Sequence, residues 1–286
     1  MSVATVELKA APRTRARRDW LSTPVLIGAV IVALLALAAL LAPLIAPYKP
    51  NDVDFLNPVA PPSWAHPMGT DDAGRDVFSR SLYGLRLDLA IVLLVTYVPL
   101  PIGVLLGAIS GSFGGKTDAM ISRVADVMLA FPFFVLVIAI IAIVGPGLKG
   151  VLIGVPLAGW ALYTRLSRSE MLVLREQPFM LATTALGYTR ARSILRHAVP
   201  NLMRTALIYS TLDMVVNLLL LASLSYLGLG KQPPGAELGT IIAGGQPYLL
   251  SAWWISTLPG LILVLFGVGV GLIGDGLSDG RLRGRS

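Results

Sequence analysis

Asp213 and Asn217 stand four residues apart inside an otherwise uncharged run from Thr205 to Leu227. Helical spacing would put this carboxylate and carboxamide on one face. A carboxylate in so apolar a stretch is expensive to bury and is a candidate for function. It could face a pore and contact a substrate amine, or it could pair with a polar group on a partner chain; a third reading misplaces the run itself. A second set, His66, Gly69, Thr70, Asp71, Asp72, Gly74, Arg75 and Asp76, is rich enough in acids to bind a cation. The simpler reading pairs Asp71 and Asp72 with Arg75 and Arg80, or uses an acid to cap a helix. His66 and His197 are the only histidines and have no metal-ligand spacing around them, so both read as structural. Gly114-Gly115-Lys116-Thr117 looks like the end of a phosphate-binding loop, but the required first glycine falls at Ser110 and an apolar run, not a strand, precedes it. It reads as a tight turn. The absence of cysteine excludes disulfides, thiolate metal sites and thiol catalysis. No nucleophile–base pair or metal set lies within an apolar run, so an intramembrane hydrolase is disfavoured.

The elements that must position these residues are membrane helices. The chain is 55% hydrophobic and 14% charged over 286 residues, against about 25% charged in soluble domains. Six spans are expected: about Pro24–Ala46, Leu89–Gly111, Val127–Val144, Gly150–Thr164 with an extension toward Arg168, Thr205–Leu227 and Ala252–Ile273. A helix of about 20 apolar residues crosses the hydrocarbon layer. The fold class is therefore all-α, a polytopic membrane protein with six transmembrane helices. Gly103/Gly107 and Gly267/Gly271 have the spacing of close helix contacts.

Charge sets the orientation. With the N-terminus inside, 17 of the 23 Lys and Arg face the cytoplasm, while the 47–88 loop carries six Asp against four basic residues. Both termini are expected in the cytoplasm of a cell whose plasma (inner) membrane holds the chain. The net charge of +7 is thus explained without nucleic acid. The expected organisation is a basic tail over 1–23, the first helix over 24–46, an outer loop over 47–88, a five-helix transmembrane region over 89–280 and a basic tail over 281–286. Thr70–Arg86 reads as a short amphipathic helix along the outer face, with Phe78, Leu82 and Leu85 inward.

The stretch from Arg165 to Arg204 has seven Arg against Glu170 and Glu176. Ala182, Ala185 and Leu186 favour a helix that Gly187 can end with φ > 0. Thr189 can cap a second helix from Arg190 to His197, and Pro200 suits the first turn of the next span. Two short helices are expected across the cytoplasmic face. A plain topology-setting loop would not require that spacing.

Ala182, Gly187 and Pro200 resemble the loop of ABC importer permease subunits, which has the form Glu-Ala-Ala, three residues, Gly, nine residues, Ile-x-Leu-Pro. Two further stretches resemble the C-type subunit of dipeptide and oligopeptide importers. They are His66-Pro67-Met68-Gly69-Thr70-Asp71-Asp72-Ala73-Gly74-Arg75-Asp76-Val77-Phe78-Ser79-Arg80 and Leu224-Ser225-Tyr226-Leu227-Gly228-Leu229-Gly230-Lys231-Gln232-Pro233-Pro234, the latter followed by Gly274-Asp275-Gly276-Leu277. The chain departs from the pattern at Leu181, where the family has Glu, and at Thr183. It departs again at Leu221, a position usually Glu in the peptide branch.

The resemblance implies a type I ABC importer permease with cytoplasmic coupling helices, non-catalytic, forming half of a pore for di- or oligopeptides. Phe179, Leu181, Ala182, Ala185, Leu186, Gly187, Arg192, His197 and Pro200 would form the coupling loop, at about 175–200. The implied partners are a paralogous permease, two ATP-binding subunits, an extracellular or periplasmic substrate-binding protein and the lipid bilayer. ATP and Mg2+ would be used by the ATP-binding subunits, with no cofactor on this chain. Nickel, glutathione-like and haem importers share this permease type. An ion-coupled transporter is a weaker alternative, because Asp213 is nearly alone within the spans.

Overall fold

The computed structural model describes residues 23–283, with side chains described through Ser278. The basic tails expected at either end lie largely outside the described residues. The order is α1 Thr23–Leu40, α2 Ala42–Ile45, α3 Val77–Tyr97, α4 Pro99–Phe113, α5 Gly115–Leu129, α6 Phe133–Val144, α7 Leu148–Leu174, α8 Pro178–Ala185, α9 Arg190–Ser193, a π-helical turn Ile194–Ala198, α10 Val199–Tyr226, α11 Leu238–Gly245 and α12 Trp254–Arg283. Among the described residues the only β pairing is the isolated bridge between Thr70 and Asp76.

Four helical stretches are long and apolar enough to cross a membrane: Thr23–Leu40, Val77–Phe113, Arg190–Tyr226 and Trp254–Ser278. The pair α5 and α6 makes a fifth if taken as one span, and it is bent by 89°. The straight third span expected over Val127–Val144 is therefore corrected. Pro132 at the head of α6 has no N–H to continue the ladder, and the chain turns at Ala130–Pro132. The fourth span is longer than its uncharged stretch. α7 has 27 residues and carries Arg165 and Arg168 within the helix. It has the length to cross, about 40 Å at 1.5 Å per residue, but not the apolarity.

Two other expectations are corrected. The amphipathic stretch before Arg86 is not a separate surface helix. α3 starts at Val77, capped by Asp76, whose carboxylate accepts the Ser79 N–H at 2.7 Å, and continues to Tyr97. Leu82 and Leu85 are buried on it and Phe78 is half-buried. Nor does the segment from Arg190 to His197 form a separate helix. It runs through the π-helical turn into α10 without a break. Pro200 would clash with the carbonyl four residues back in a regular helix, and the wider π turn just before it relieves that clash.

The main core gathers Val92 and Val95 of α3, Val137 and Ile141 of α6, Val151 and Val155 of α7, Leu218, Leu221 and Leu224 of α10, and Phe266 of α12. Leu221 is only 3% exposed, so the residue that departs from the family's Glu is a core side chain here. α4 lies along α7, and Gly103 and Gly107 form the seam. A Cβ on Gly103 would sit 2.4 Å from Tyr163 Cβ, and one on Gly107 would sit 2.5 Å from the Thr164 carbonyl oxygen. The Gly267/Gly271 expectation is corrected. Gly271 has open space where its Cβ would be, and the close contacts on α12 are Gly269 against Gly28 of α1 and Gly274 against Thr211 of α10. Gly269 is two residues, about 200° of helix, from Gly267, so it faces the opposite way.

Candidate functional site

Three polar sites stand out among the described residues. The first is built on α8 and the turn after it. Pro178 begins α8, where a missing N–H costs nothing, and Gly187 ends it at φ +73°. Thr189 then caps α9 by accepting the Arg192 N–H at 3.3 Å. Met180 and Thr183 point inward. Met180 joins a core with Ile194, Ala198 and Leu202, and Thr183 Oγ1 lies 3.0 Å from Ser193 Oγ. Anchoring that face leaves the other in solvent. Leu186 is 72% exposed and Leu181 58%, and Phe179, Ala182 and Ala185 are exposed beside them. Arg192 lies over the Tyr188 ring at 4.3 Å, and Tyr188 stacks on His197 at 5.9 Å. Pro200 is exposed on the first turn of α10. The result is an apolar face with a cationic rim, suited to binding another protein. Glu170 Oε1 accepts from Thr205 Oγ1 at 2.6 Å, tying α7 to α10 just inside this surface. Arg168 Nη2 donates to Asp118 Oδ2 at 2.7 Å, tying α7 to α5. Asp118 is thus ion-paired rather than merely solvated, and Gly114, at φ +64°, is the turn between α4 and α5.

The second site contains Asp213. Its Oδ2 accepts from Tyr163 Oη at 2.8 Å and from Asn217 Nδ2 at 3.1 Å, and Asn217 Nδ2 also donates to Thr96 Oγ1 at 3.0 Å. Asp213 therefore has its polar partner within this chain. The network joins α3, α7 and α10. Tyr163 and Thr96 were missed by sequence reasoning. The available signal was a tyrosine hydroxyl in an apolar run, which needs a buried partner.

The third site brings together the two sequence motifs read separately above. Arg75 Nε donates to Asp71 Oδ2 at 2.7 Å, and Arg75 Nη2 lies 3.3 Å from Asp72 Oδ1. Asp71 also accepts the backbone N–H groups of Ala73 and Arg75 at 3.0 Å each. His66 Nδ1 lies 3.0 Å from Asp76 Oδ1, and its ring stacks on Tyr48 at 4.9 Å. Gly69, at φ +71°, lets the Trp254 indole approach within 2.5 Å of where a Cβ would stand, and Trp254 Nε1 donates to the Thr70 carbonyl at 3.4 Å. A Cβ on Gly74 would lie 1.8 Å from the Asp54 carbonyl oxygen. Arg80, 4% exposed, donates to the carbonyls of Pro50 at 2.8 Å and Pro234 at 3.4 Å, so it bridges the 47–76 loop to the 227–237 turn. That turn is held in addition by the Gly147 N–H on the Leu229 carbonyl at 3.0 Å. The loop is an ordered cap.

Comparison with known proteins agrees with this architecture. Residues 103–282 match the family described as binding-protein-dependent transport system inner membrane component. Residues 22–62 match the N-terminal TM domain of oligopeptide transport permease C. The chain is 37% identical over 252 residues to the probable D,D-dipeptide transport system permease protein DdpC of Escherichia coli, covering 88% of this chain and 85% of that protein. It is 36% identical over 260 residues to the di/tripeptide transport system permease protein DppC of Pseudomonas aeruginosa, covering 88% and 85%. Identity to the oligopeptide transport system permease protein OppC of Bacillus subtilis is 36% over 254 residues, 89% of this chain and 83% of that one.

Proposed function

Because the chain belongs to the family of binding-protein-dependent transport system inner membrane components, we propose that it is the permease subunit of an ATP-driven importer of dipeptides or oligopeptides. The printed names of its relatives supply the substrate class. The observation that carries the mechanism is the exposed apolar face of α8 beside Gly187, on a loop that ends in a helix continuous with α10. ATP-binding subunits dock on that face and hydrolyse ATP with Mg2+ bound to its phosphates, and this chain adds no catalytic group. Movement of the docked α8 is passed to α7 and α10 together, because the Thr205–Glu170 and Tyr163–Asp213 bonds fasten those helices to each other. The chain crosses the plasma (inner) membrane six times, α7 and the bent α5–α6 pair included, with both termini in the cytoplasm. A paralogous permease supplies the other half of the pore, and a binding protein delivers substrate to the outer cap.

The test is isolation of the chain from its own membranes, followed by reconstitution. Chains carrying a nucleotide-binding site should co-purify, and vesicles holding that complex and its binding protein should take up labelled dipeptide only with ATP. Uptake by the isolated chain alone, driven by an ion gradient, would overturn the proposal.

A further inference from the structure

The outer cap contains two acids that the transport reading does not use. Asp88 is 2% exposed and Glu237 is 0% exposed. Asp88 is on α3, one residue before the second apolar run, and Glu237 immediately precedes α11. Asp88 Oδ2 accepts the Leu238 N–H at 3.2 Å, which places it beside Glu237. Its other oxygen, Oδ1, is buried with no hydrogen-bond partner. Glu237 Oε2 accepts the Lys231 N–H at 2.8 Å, and Oε1 accepts from the Ser225 hydroxyl. Among the described residues neither acid forms an ion pair.

The two acids cannot easily separate. Gly84, one turn before Asp88, lies so close to Glu237 that a Cβ there would stand 3.2 Å from the Glu237 carbonyl carbon and 3.3 Å from its Cα. Nearby charge is sparse. Lys231 is on the same turn, Arg80 is turned to Asp71, Pro50 and Pro234, and Arg86 is exposed. From α10 only the Ser225 hydroxyl bonds to the pair, and α11 has no charged residue. Two adjacent carboxylates in a low-dielectric site cannot both ionise without strong repulsion. An unpartnered buried carboxylate oxygen is costly as an anion and much less so when its group is neutral.

We propose that Asp88 and Glu237 together bind one proton, and that this proton keeps α3 seated on the turn that leads into α11. Burial pushes the Glu237 carboxyl above its ordinary range, against the pull of the Ser225 hydroxyl and the Lys231 amide. An acid raised in the folded state stabilises fully below its unfolded value and loses that contribution as pH rises to its folded value. The cap therefore weakens with rising pH, opposite in sign to an ion-paired carboxylate. The proton site stands whether or not the chain carries peptides.

The experiment uses the full-length chain in detergent. Infrared spectra at neutral pH should show a protonated-carboxyl carbonyl stretch that shifts in D2O, and Asp88→Asn or Glu237→Gln should shift or remove it. The folding equilibrium of the wild type should fall with pH above about 4, by up to about tenfold per unit. In Asp88→Asn that slope should be flatter by one proton. If neither variant folds, the wild-type band should still titrate away as one proton at high pH. A band unchanged in both variants, or a wild type with no band, overturns the proposal. So does stabilisation by added sodium at fixed pH with an unaltered pH slope, which would put a metal cation in the site.

Discussion

The Tyr163 hydroxyl donates to Asp213 Oδ2 at 2.8 Å and so joins α7 to α10, the two helices on either side of the loop that carries α8. Tyr163 is itself 1% exposed and packs edge-on against Tyr209 of α10, with ring centroids 5.6 Å apart. Removing the hydroxyl leaves a half-buried carboxylate with Asn217 as its remaining donor. Because Asn217 still donates to the same oxygen, Tyr163→Phe should cost about 0.5–1.5 kcal/mol, the net contribution of one hydrogen bond. Measured by thermal unfolding in detergent, Tyr163→Phe and Asp213→Asn should couple by about 0.5–3 kcal/mol in a double-mutant cycle. Additive effects would mean that the bond does not join the two helices.

Gly187 sits at φ +73° with open space around its Cβ position, so only the backbone conformation restricts substitution there. A β-branched residue in that region is disfavoured by about 1–2 kcal/mol. Gly187→Val should insert normally into the membrane, lose its ATPase subunits on gentle purification and show no substrate-stimulated ATP hydrolysis. Gly187→Asn, which tolerates the left-handed region, should retain them. Wild-type co-purification by the valine variant would remove the loop from the coupling role.

Topology can be read with single cysteines, because the chain has none. Ser63 and Thr184 are both exposed. Ser63→Cys should react with an impermeant maleimide added outside intact cells, and Thr184→Cys only after the membrane is opened. Ser193 would be a poor reporter, since it is 8% exposed and bonded to Thr183. Labelling of both from outside would contradict the six-span arrangement.

The helix seams make a paired prediction. Gly103→Leu drives a side chain into Tyr163 and the Trp160 carbonyl, whereas Gly271→Leu meets open space. The first should destabilise the chain by about 1–3 kcal/mol or more through overpacking. The second should leave thermal stability within about 0.5 kcal/mol. Equal losses would show that α4 and α7 do not pack along this seam.

Sequence alone determined the class of the molecule. Apolar runs about a membrane thickness long, a basic stretch between two of them and Gly187 between Ala182 and Pro200 were all legible. So were the two outer motifs and the pairing of Asp71 with Arg75. These are local properties. Hydrophobicity, charge bias, capping and turn chemistry act over one to four residues, and their signals lie side by side along the chain.

Tertiary structure decided everything that depends on which faces meet. The bend before Pro132 and the merging of α9 into α10 depend on where neighbouring helices can accept a kinked chain. Which glycines of α12 form a seam depends on rotation about the helix, and a two-residue difference reverses the face. Asp213 could be recognised as costly to bury, but its partner Tyr163 is 50 residues away, and Arg80 meets Pro234 across 154 residues. Such pairs leave no periodic trace in the sequence, because a polar side chain in a helix finds its partner only after the apolar faces have packed and expelled the alternatives.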